Sequence, residues 1–530
     1  MDRIATLLLG SVALFGAGCV APSAVRAQGA DADLVKRGEY LVTAGDCAAC
    51  HTVPGGKPFA GGHALNTPIG VIMTPNLTKD KETGLGNWTE EDFWKAMHEG
   101  ISKEDGYLYP AFPFAWYTKI SRDDVKAIWA YLQSQEAVNA PRKPSQIPFP
   151  FSIRTALITW RTAFFFPGEF KPDPNVSEEI NRGAYLVEGL GHCGMCHNER
   201  KLVGNNSLAG KLGGGVIDGW YAPNITPEGH QGIGAWSDEQ VVTYLKTGTA
   251  PGNLPGVAAG PMRQTVMESL SKMTDADLKA MVAYLRTVPA KSTYKAQDLQ
   301  AFNKPGAPGA DTYLTYCSSC HQPNGKGVEG AIPALAGNTS IQTKGPETVL
   351  RVIYGGLSAA SGYAPMPASG AEMTDEQVKD VTDYIRNSWG NHAPVITSTT
   401  VVSQARAATS TMLSGTAPCA DIEQTKLKDA LDSMGIAKEL EGVKQQEFIP
   451  VLSKVVPRVK TADTGASDDD IVNGLTTLFC KVGRENDQYR QLGWPQTIGS
   501  FASIAYSQVK HPEKQASAVP TGIPAAPPKN

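Results

Sequence analysis

Charge of one sign is nearly absent as a surplus in this 530-residue chain: 48 Lys and Arg stand against 52 Asp and Glu, a formal net charge of -4. No Lys/Arg cluster is dense enough to neutralise a phosphate backbone, so nucleic acid is not an expected partner. Histidine is scarce too, at 9 residues. The order of residues offers no Ser/His/Asp arrangement, phosphate loop or metal triad. The apolar run Ile4 to Val20 follows Arg3, the only basic residue ahead of it. Val25-Arg26-Ala27 then offers a small-residue cleavage site before Gln28, so residues 1–27 read as an export signal peptide, with an uncleaved membrane anchor as the competing reading. Cys19 after Gly16-Ala17-Gly18 half-resembles a lipoprotein signal but lacks the usual leucine three residues earlier.

What is plentiful is glycine and proline, 54 and 37 residues, which suits compact helical units joined by long loops. A chain of this length cannot be served by one hydrophobic core, so three or four domains are expected. Six of the 9 cysteines fall in Cys-x-x-Cys-His motifs: Cys47, Cys50 and His51; Cys193, Cys196 and His197; Cys317, Cys320 and His321. In this spacing two thiols reach the two vinyl groups on one porphyrin edge while the adjacent histidine meets the iron, so each motif is a c-type haem site and the chain is expected to bind three haems c covalently. A thioredoxin-like pair or half a zinc site would be the alternative for one isolated motif; three in one exported chain favour haem. Cys419 and Cys480 remain as a candidate disulfide in an oxidising compartment.

A methionine thioether from the loop before the last helix of such a unit is the expected sixth ligand, and it raises the potential of the haem it binds. Met366, in Pro365-Met366-Pro367, suits the third haem and Met262, in Gly260-Pro261-Met262, the second; a buried core methionine is the alternative at each. The matching loop of the first unit is Tyr109-Pro110-Ala111-Phe112-Pro113-Phe114, and a phenylalanine cannot ligate iron. Met73, Met97, His98 and His63 are nearby alternatives, so the first haem is expected to differ from the others in potential or ligand exchange.

The chain repeats itself. Arg37-Gly38-Glu39-Tyr40-Leu41-Val42 precedes the first motif and Arg182-Gly183-Ala184-Tyr185-Leu186-Val187 the second; Pro75-Asn76-Leu77-Thr78 and Pro223-Asn224-Ile225-Thr226 follow, then Gly84-Leu85-Gly86-Asn87-Trp88 and Gly232-Ile233-Gly234-Ala235-Trp236. Each unit closes on a helix announced by a hydroxyl N-cap, Ser121, Thr274 or Thr374, with a tyrosine at the same offset: Tyr131, Tyr284 or Tyr384. The predicted fold is mainly α: three tandem class I cytochrome c-like helical domains over 30–137, 175–290 and 303–391, then an extra helical block over 417–511 and a disordered tail over 512–530. In that block Asp421 to Leu440, Asp469 to Val482 and Thr497 to Val509 read as helices; docking module and passive extension are its two readings. Phe151 to Phe166 places apolar residues on one helical face, with Arg154 and Arg161 set to snorkel towards headgroups if the segment does not instead pack between domains. Its two arginines and Pro167 argue against a spanning helix.

These motifs as a set, with Tyr384-Ile385-Arg386-Asn387-Ser388-Trp389-Gly390-Asn391, resemble the triple-haem cytochrome c subunits of membrane-bound periplasmic dehydrogenases over roughly residues 35 to 390. The resemblance implies an electron-transfer subunit that takes electrons from a large catalytic dehydrogenase subunit, oxidising an alcohol, aldehyde or sugar acid, and hands them to ubiquinone at the periplasmic surface of the inner membrane. It implies too that Phe151 to Phe166 is the membrane-contacting part. The Ala-Phe112-Pro loop looks more like subunits that accompany molybdopterin hydroxylases, which tilts the partner towards an aldehyde dehydrogenase over an alcohol or gluconate dehydrogenase. The competing functions are a multihaem peroxidase or oxidase with an open first haem, and a free-standing electron shuttle.

Overall fold

The computed structural model describes residues 23–510, except 54, 200–211, 252–255, 296–301, 303, 305, 360–362, 414–418, 420, 421, 423 and 484–493. Residues 1–22 of the expected 1–27 signal peptide and the tail beyond 510 lie outside the described residues; residues 23–27 are helical, as the start of the first helix. The described chain is mainly helical. The first unit runs α1 (Ser23–Ala44), α2 (Cys47–His51), the hairpin β1 (Ala64–Thr67) and β2 (Gly70–Met73), and α3 (Glu90–Trp94) continuing as a π-helix (Lys95–Glu99). The small hairpin β3 (Ile101–Ser102) and β4 (Gly106–Tyr107), then α4 (Phe114–Tyr117) and α5 (Arg122–Ser134), complete it. After α6 (Leu157–Phe164), the second unit repeats the plan: α7 (Glu178–Tyr185), α8 (Gly194–His197), the hairpin β5 (Gly215–Ile217) and β6 (Trp220–Ala222), α9 (Asp238–Thr247), α10 (Gly260–Glu268) and α11 (Asp275–Thr287). The third is shorter: α12 (Ala310–Tyr316), α13 (Ser318–His321), α14 (Glu347–Gly355) and α15 (Asp375–Asn387).

In every unit the helix entering the haem motif crosses the closing helix. The crossing is close because the entering helix presents a glycine: a Cβ on Gly38 would stand 1.9 Å from the Ala127 carbonyl oxygen, and one on Gly183 1.9 Å from that of Ala280. The repeated Arg-Gly sequence is thus a packing requirement. The closing helices start at the expected caps, with Ser121, Thr274 and Thr374 side chains accepting from the backbone amides of Asp124, Asp277 and Gln377.

The two duplicated units are clasped reciprocally. Arg37 pairs with Asp124 of its own unit (2.6 Å), and Tyr185 of the second unit donates to the same carboxylate (2.5 Å). Arg182 pairs with Asp277 of its own unit (2.8 Å), and Tyr40 of the first unit donates to that one (2.6 Å). A single apolar core runs through both, containing Leu41 and Ile128 from one and Leu186 and Met281 from the other. The third unit has its own core around Tyr313, Leu350 and Val381.

Beyond the third unit come α16 (Thr400–Leu413), α17 (Thr425–Ser433), α18 (Ile436–Leu440), α19 (Phe448–Thr461), α20 (Asp468–Gly483) and a last helix, Trp494–Lys510. Phe448, Phe479 and Phe501, all fully buried, centre a further core, and Phe479 stacks on Phe501 at 4.1 Å. Cys419 and Cys480 are disulfide-bonded, with Cα atoms 5.8 Å apart. The sequence reading missed α19 because Pro450 and Pro457 lie in it. Pro450 sits in the first turn, where no amide donor is needed; Pro457 does cost a helical hydrogen bond, offset by burial of Leu452, Val455, Val456 and Val459.

Candidate haem-binding sites

Each motif is organised by a single helical turn: α2 holds both cysteines and the histidine of the first, while in the second and third the leading cysteine, Cys193 or Cys317, is the N-cap of α8 or α13, which carries the other cysteine and the histidine. The histidines share one arrangement. His51 Nδ1 lies 2.9 Å from the carbonyl oxygen of Pro75, His197 Nδ1 2.7 Å from that of Pro223, and His321 Nδ1 3.0 Å from that of Pro333. A carbonyl can only accept, so Nδ1 carries the proton and Nε2 keeps a free lone pair for a metal. Burial keeps all three rings neutral, lowering His51 to about 4 and shifting His197 and His321 downward as well.

The repeated Pro-Asn-Leu/Ile-Thr loops are what hold those carbonyls. The Asn76 side chain accepts from the Thr78 amide (2.9 Å) and donates to Val138 (2.7 Å); Asn224 accepts from the Thr226 amide (2.8 Å) and donates to Lys291 (2.6 Å). The third unit lacks the asparagine, and Pro333 escaped the sequence reading for that reason.

No disulfide joins the six motif cysteines. Burial pushes Cys47, Cys193 and Cys317 up to about 12, the opposite of the depressed values that make a thioredoxin-like pair reactive. Among the described residues no cluster of three His, Cys, Asp or Glu could hold a metal ion, so a half-zinc site finds no completing ligands there. One cavity brings the third site together: Cys320, His321 and Pro333 line it along with Met366. Trp220, Gly260 and Arg263 of the second unit complete its wall.

Met262 lies in the first helical turn of α10 and packs against the core shared by the first two units, where Cys47 and Cys193 also lodge. In the first unit Phe112 packs edge-on against Tyr117, ring centres 5.5 Å apart. Met97 is buried in the shared core, Met73 is buried in β2, and His98 stacks on Trp94 at 4.3 Å. His63 pairs through its backbone with Thr74, next to Pro75, and so lies on the side of His51 that Nδ1 faces.

The sites abut one another. The Gln264 side chain of α10 donates to Ala49 O inside the first motif (3.3 Å), and His192, beside Cys193, packs on Tyr117 of the first unit (5.5 Å). Thr348 of the third unit accepts from the Tyr221 amide (2.9 Å) and donates to the Tyr221 carbonyl (3.2 Å), which fixes the hairpin carrying Trp220. None of these contacts was visible in the sequence, because each joins residues from different repeats.

A model of the cytochrome c family matches residues 35–136, 180–289 and 306–389. The chain belongs to the cytochrome c family. Its three cytochrome c domains, each with a Cys-x-x-Cys-His motif, fit covalently bound haem c. The chain is similar to the fructose dehydrogenase cytochrome subunit of Gluconobacter japonicus, 38% identical over 407 residues that cover 70% of this chain and 82% of that one. It is similar also to the alcohol dehydrogenase (quinone) cytochrome c subunit of Gluconobacter oxydans strain 621H, 37% identical over 404 residues covering 72% and 84%. A third relative is the gluconate 2-dehydrogenase cytochrome c subunit of Pantoea cypripedii, 36% identical over 417 residues covering 74% of this chain and 92% of that one.

The segment between the first two cytochrome c domains departs from the snorkelling expectation. Arg154 donates to the Tyr107 carbonyl (3.0 Å), reaches Asp105 (3.4 Å) and lies over the Tyr109 ring, while Arg161 lies over Tyr107 and Phe165. Both arginines therefore fasten the segment to the first domain. Its apolar side chains divide: Trp160 and Phe165 pack on Phe114 of the first domain, while Phe149 is 80% exposed and Phe166 72%, with Phe151, Ile153 and Ile158 exposed between them. No helix among the described residues is long and apolar enough to cross a membrane.

Proposed function

We propose that this cytochrome c is the electron-transfer subunit of a dehydrogenase complex at the periplasmic surface of the inner membrane. A large catalytic subunit supplies the electrons and ubiquinone receives them. Three haems c, bound through the Cys47/Cys50, Cys193/Cys196 and Cys317/Cys320 pairs, supply one-electron exchange. His51, His197 and His321 offer Nε2 to the iron, held by the three proline carbonyls. Met262 and Met366 are the sixth ligands of the second and third sites, and the first site differs because Phe112 occupies its ligand loop.

The observation that carries this reading is the threefold histidine–proline geometry within sites that touch one another. Long-range redox relay requires closely spaced sites. The relatives bear the names of fructose, alcohol and gluconate dehydrogenases, so substrate choice rests with the partner. The Phe112 loop tilts that partner towards a molybdopterin hydroxylase of the aldehyde dehydrogenase kind. The exposed Phe149-to-Phe166 face supports contact with a bilayer surface, since an apolar patch of this kind is costly in water, and residues 1–27 serve export.

The test is purification of the complex from membranes, with haem quantitation, identification of the co-purifying subunit and a ubiquinone-reduction assay. Three haems per chain, a dehydrogenase partner and quinone reduction are expected; a haem-loaded monomer recovered from the soluble fraction, without quinone reduction, would sink the proposal.

A further inference from the structure

The cytochrome c family match stops at residue 389, yet the helices beyond it do not stand apart. They grip the loop that carries Met366. The base of that loop is a bridge in which the Leu357 and Met366 amides each donate to the other's carbonyl (2.9 Å both ways). A Cβ on Gly356 would stand 2.5 Å from the Met366 carbonyl oxygen, so the base is closed tightly. The flanks of the loop leave their own domain: Ala359 is fully buried in the core of the C-terminal block, and Ala364 packs against that same core. The Asn473 side chain, on the interior of α20, donates to the Ala359 carbonyl (3.0 Å). From the other side, α16 packs along α14, the helix that leads into the loop. Arg406 of α16 donates to the Met373 carbonyl (2.7 Å) and pairs with Asp375 (2.7 Å) at the start of α15.

We infer that the C-terminal block is a clamp on the sixth-ligand loop of the third site, with Asn473 as its positioning residue. The inference rests on the reading of Met366 as an iron ligand. A loop free at its flanks opens by local unfolding, and each opening lets a competing ligand reach the iron. Hydrogen bonding and burial across α20 hold the loop shut, so Met366 leaves the metal less often and the third site keeps the high potential of a thioether-bound haem. This assigns the block a role inside the chain, where the sequence left docking module and passive extension open.

The experiment uses the full-length haem-loaded protein. Asn473→Ala removes the donor; losing a net hydrogen bond of ordinary strength raises the open population about fivefold. Imidazole binding at one haem should tighten by about that factor, with a fall in the potential of the same haem and the other two unchanged. Asn473→Ser, whose hydroxyl is too short to span the gap, replaces the alanine variant if that one does not fold. Arg458→Ala, which removes an exposed pair with Glu439 on the same block (2.7 Å), should leave imidazole affinity at wild-type values. A folded Asn473 variant with wild-type imidazole affinity and potentials at all three haems would overturn the clamp. Met366→Ala separates the two claims: if it leaves the sulfur-to-iron charge-transfer band and every potential intact, the ligand assignment fails, whatever Asn473 does.

Discussion

At the scale of single residues, the three histidines are oriented by a main-chain partner. A proline carbonyl, at Pro75, Pro223 or Pro333, fixes the tautomer and aims Nε2 away from itself. The motif spacing announced the histidines; Pro75 and Pro223 were announced only as parts of an unexplained repeat, and Pro333 was not announced at all. On the proposed ligand assignment, Phe112 is the residue at which the first site parts from the others. Phe112→Met is expected to add a thioether to that loop, raise the potential of one haem and leave the other two where they are, as read by spectroelectrochemistry. If all three midpoints stay in place, Phe112 does not occupy the ligand position.

At the scale of elements, the helix crossing decides what the Arg-Gly repeat is for. Gly183→Ala drives a methyl group into the Ala280 carbonyl, a backbone obstacle that cannot swing aside. The second domain should lose about 3 kcal/mol, measured by denaturant unfolding, and a neutral result would mean that the helices can separate without cost. The segment around α6 makes a second element-scale case. Its arginines were legible as charges but not as anchors, because cation–ring contacts with Tyr107 and Tyr109 join stretches about fifty residues apart. Replacing Phe149 and Phe166 together by serine should weaken co-sedimentation with anionic phospholipid vesicles while leaving thermal stability unchanged, since both side chains already face solvent. Equal vesicle binding by the variant would remove the membrane role from this face.

At the scale of the whole molecule, the first two domains act as one body because each borrows a tyrosine from the other. Burial alone would raise the Asp277 carboxyl; hydrogen bonds from Arg182 and Tyr40 outweigh it and hold the group below its usual range. A depressed carboxylate stabilises the fold above its unfolded pKa of about 4 and loses that contribution as pH falls through the folded value. Tyr40→Phe should therefore cost about 1–2 kcal/mol near neutrality, and the gap to wild type should narrow in acid. A gap that stays constant down to pH 2 would separate Tyr40 from the Asp277 charge.

The sequence alone determined the haem chemistry and the three-domain plan, because covalent attachment needs fixed local spacing and a duplicated domain repeats its packing residues in order. It offered Cys419 and Cys480 only as a candidate pair, left over among nine cysteines, and the structure joins them. Only the tertiary structure decided how the parts meet. The Tyr40–Asp277 and Tyr185–Asp124 exchange, the Gln264 contact with the first motif, Trp220 in the wall of the third site and Asn473 on the Met366 loop all join residues far apart in the chain. Such pairs carry no periodicity and no spacing rule. Their physics is mutual burial and hydrogen bonding across surfaces that exist only once the helices have packed.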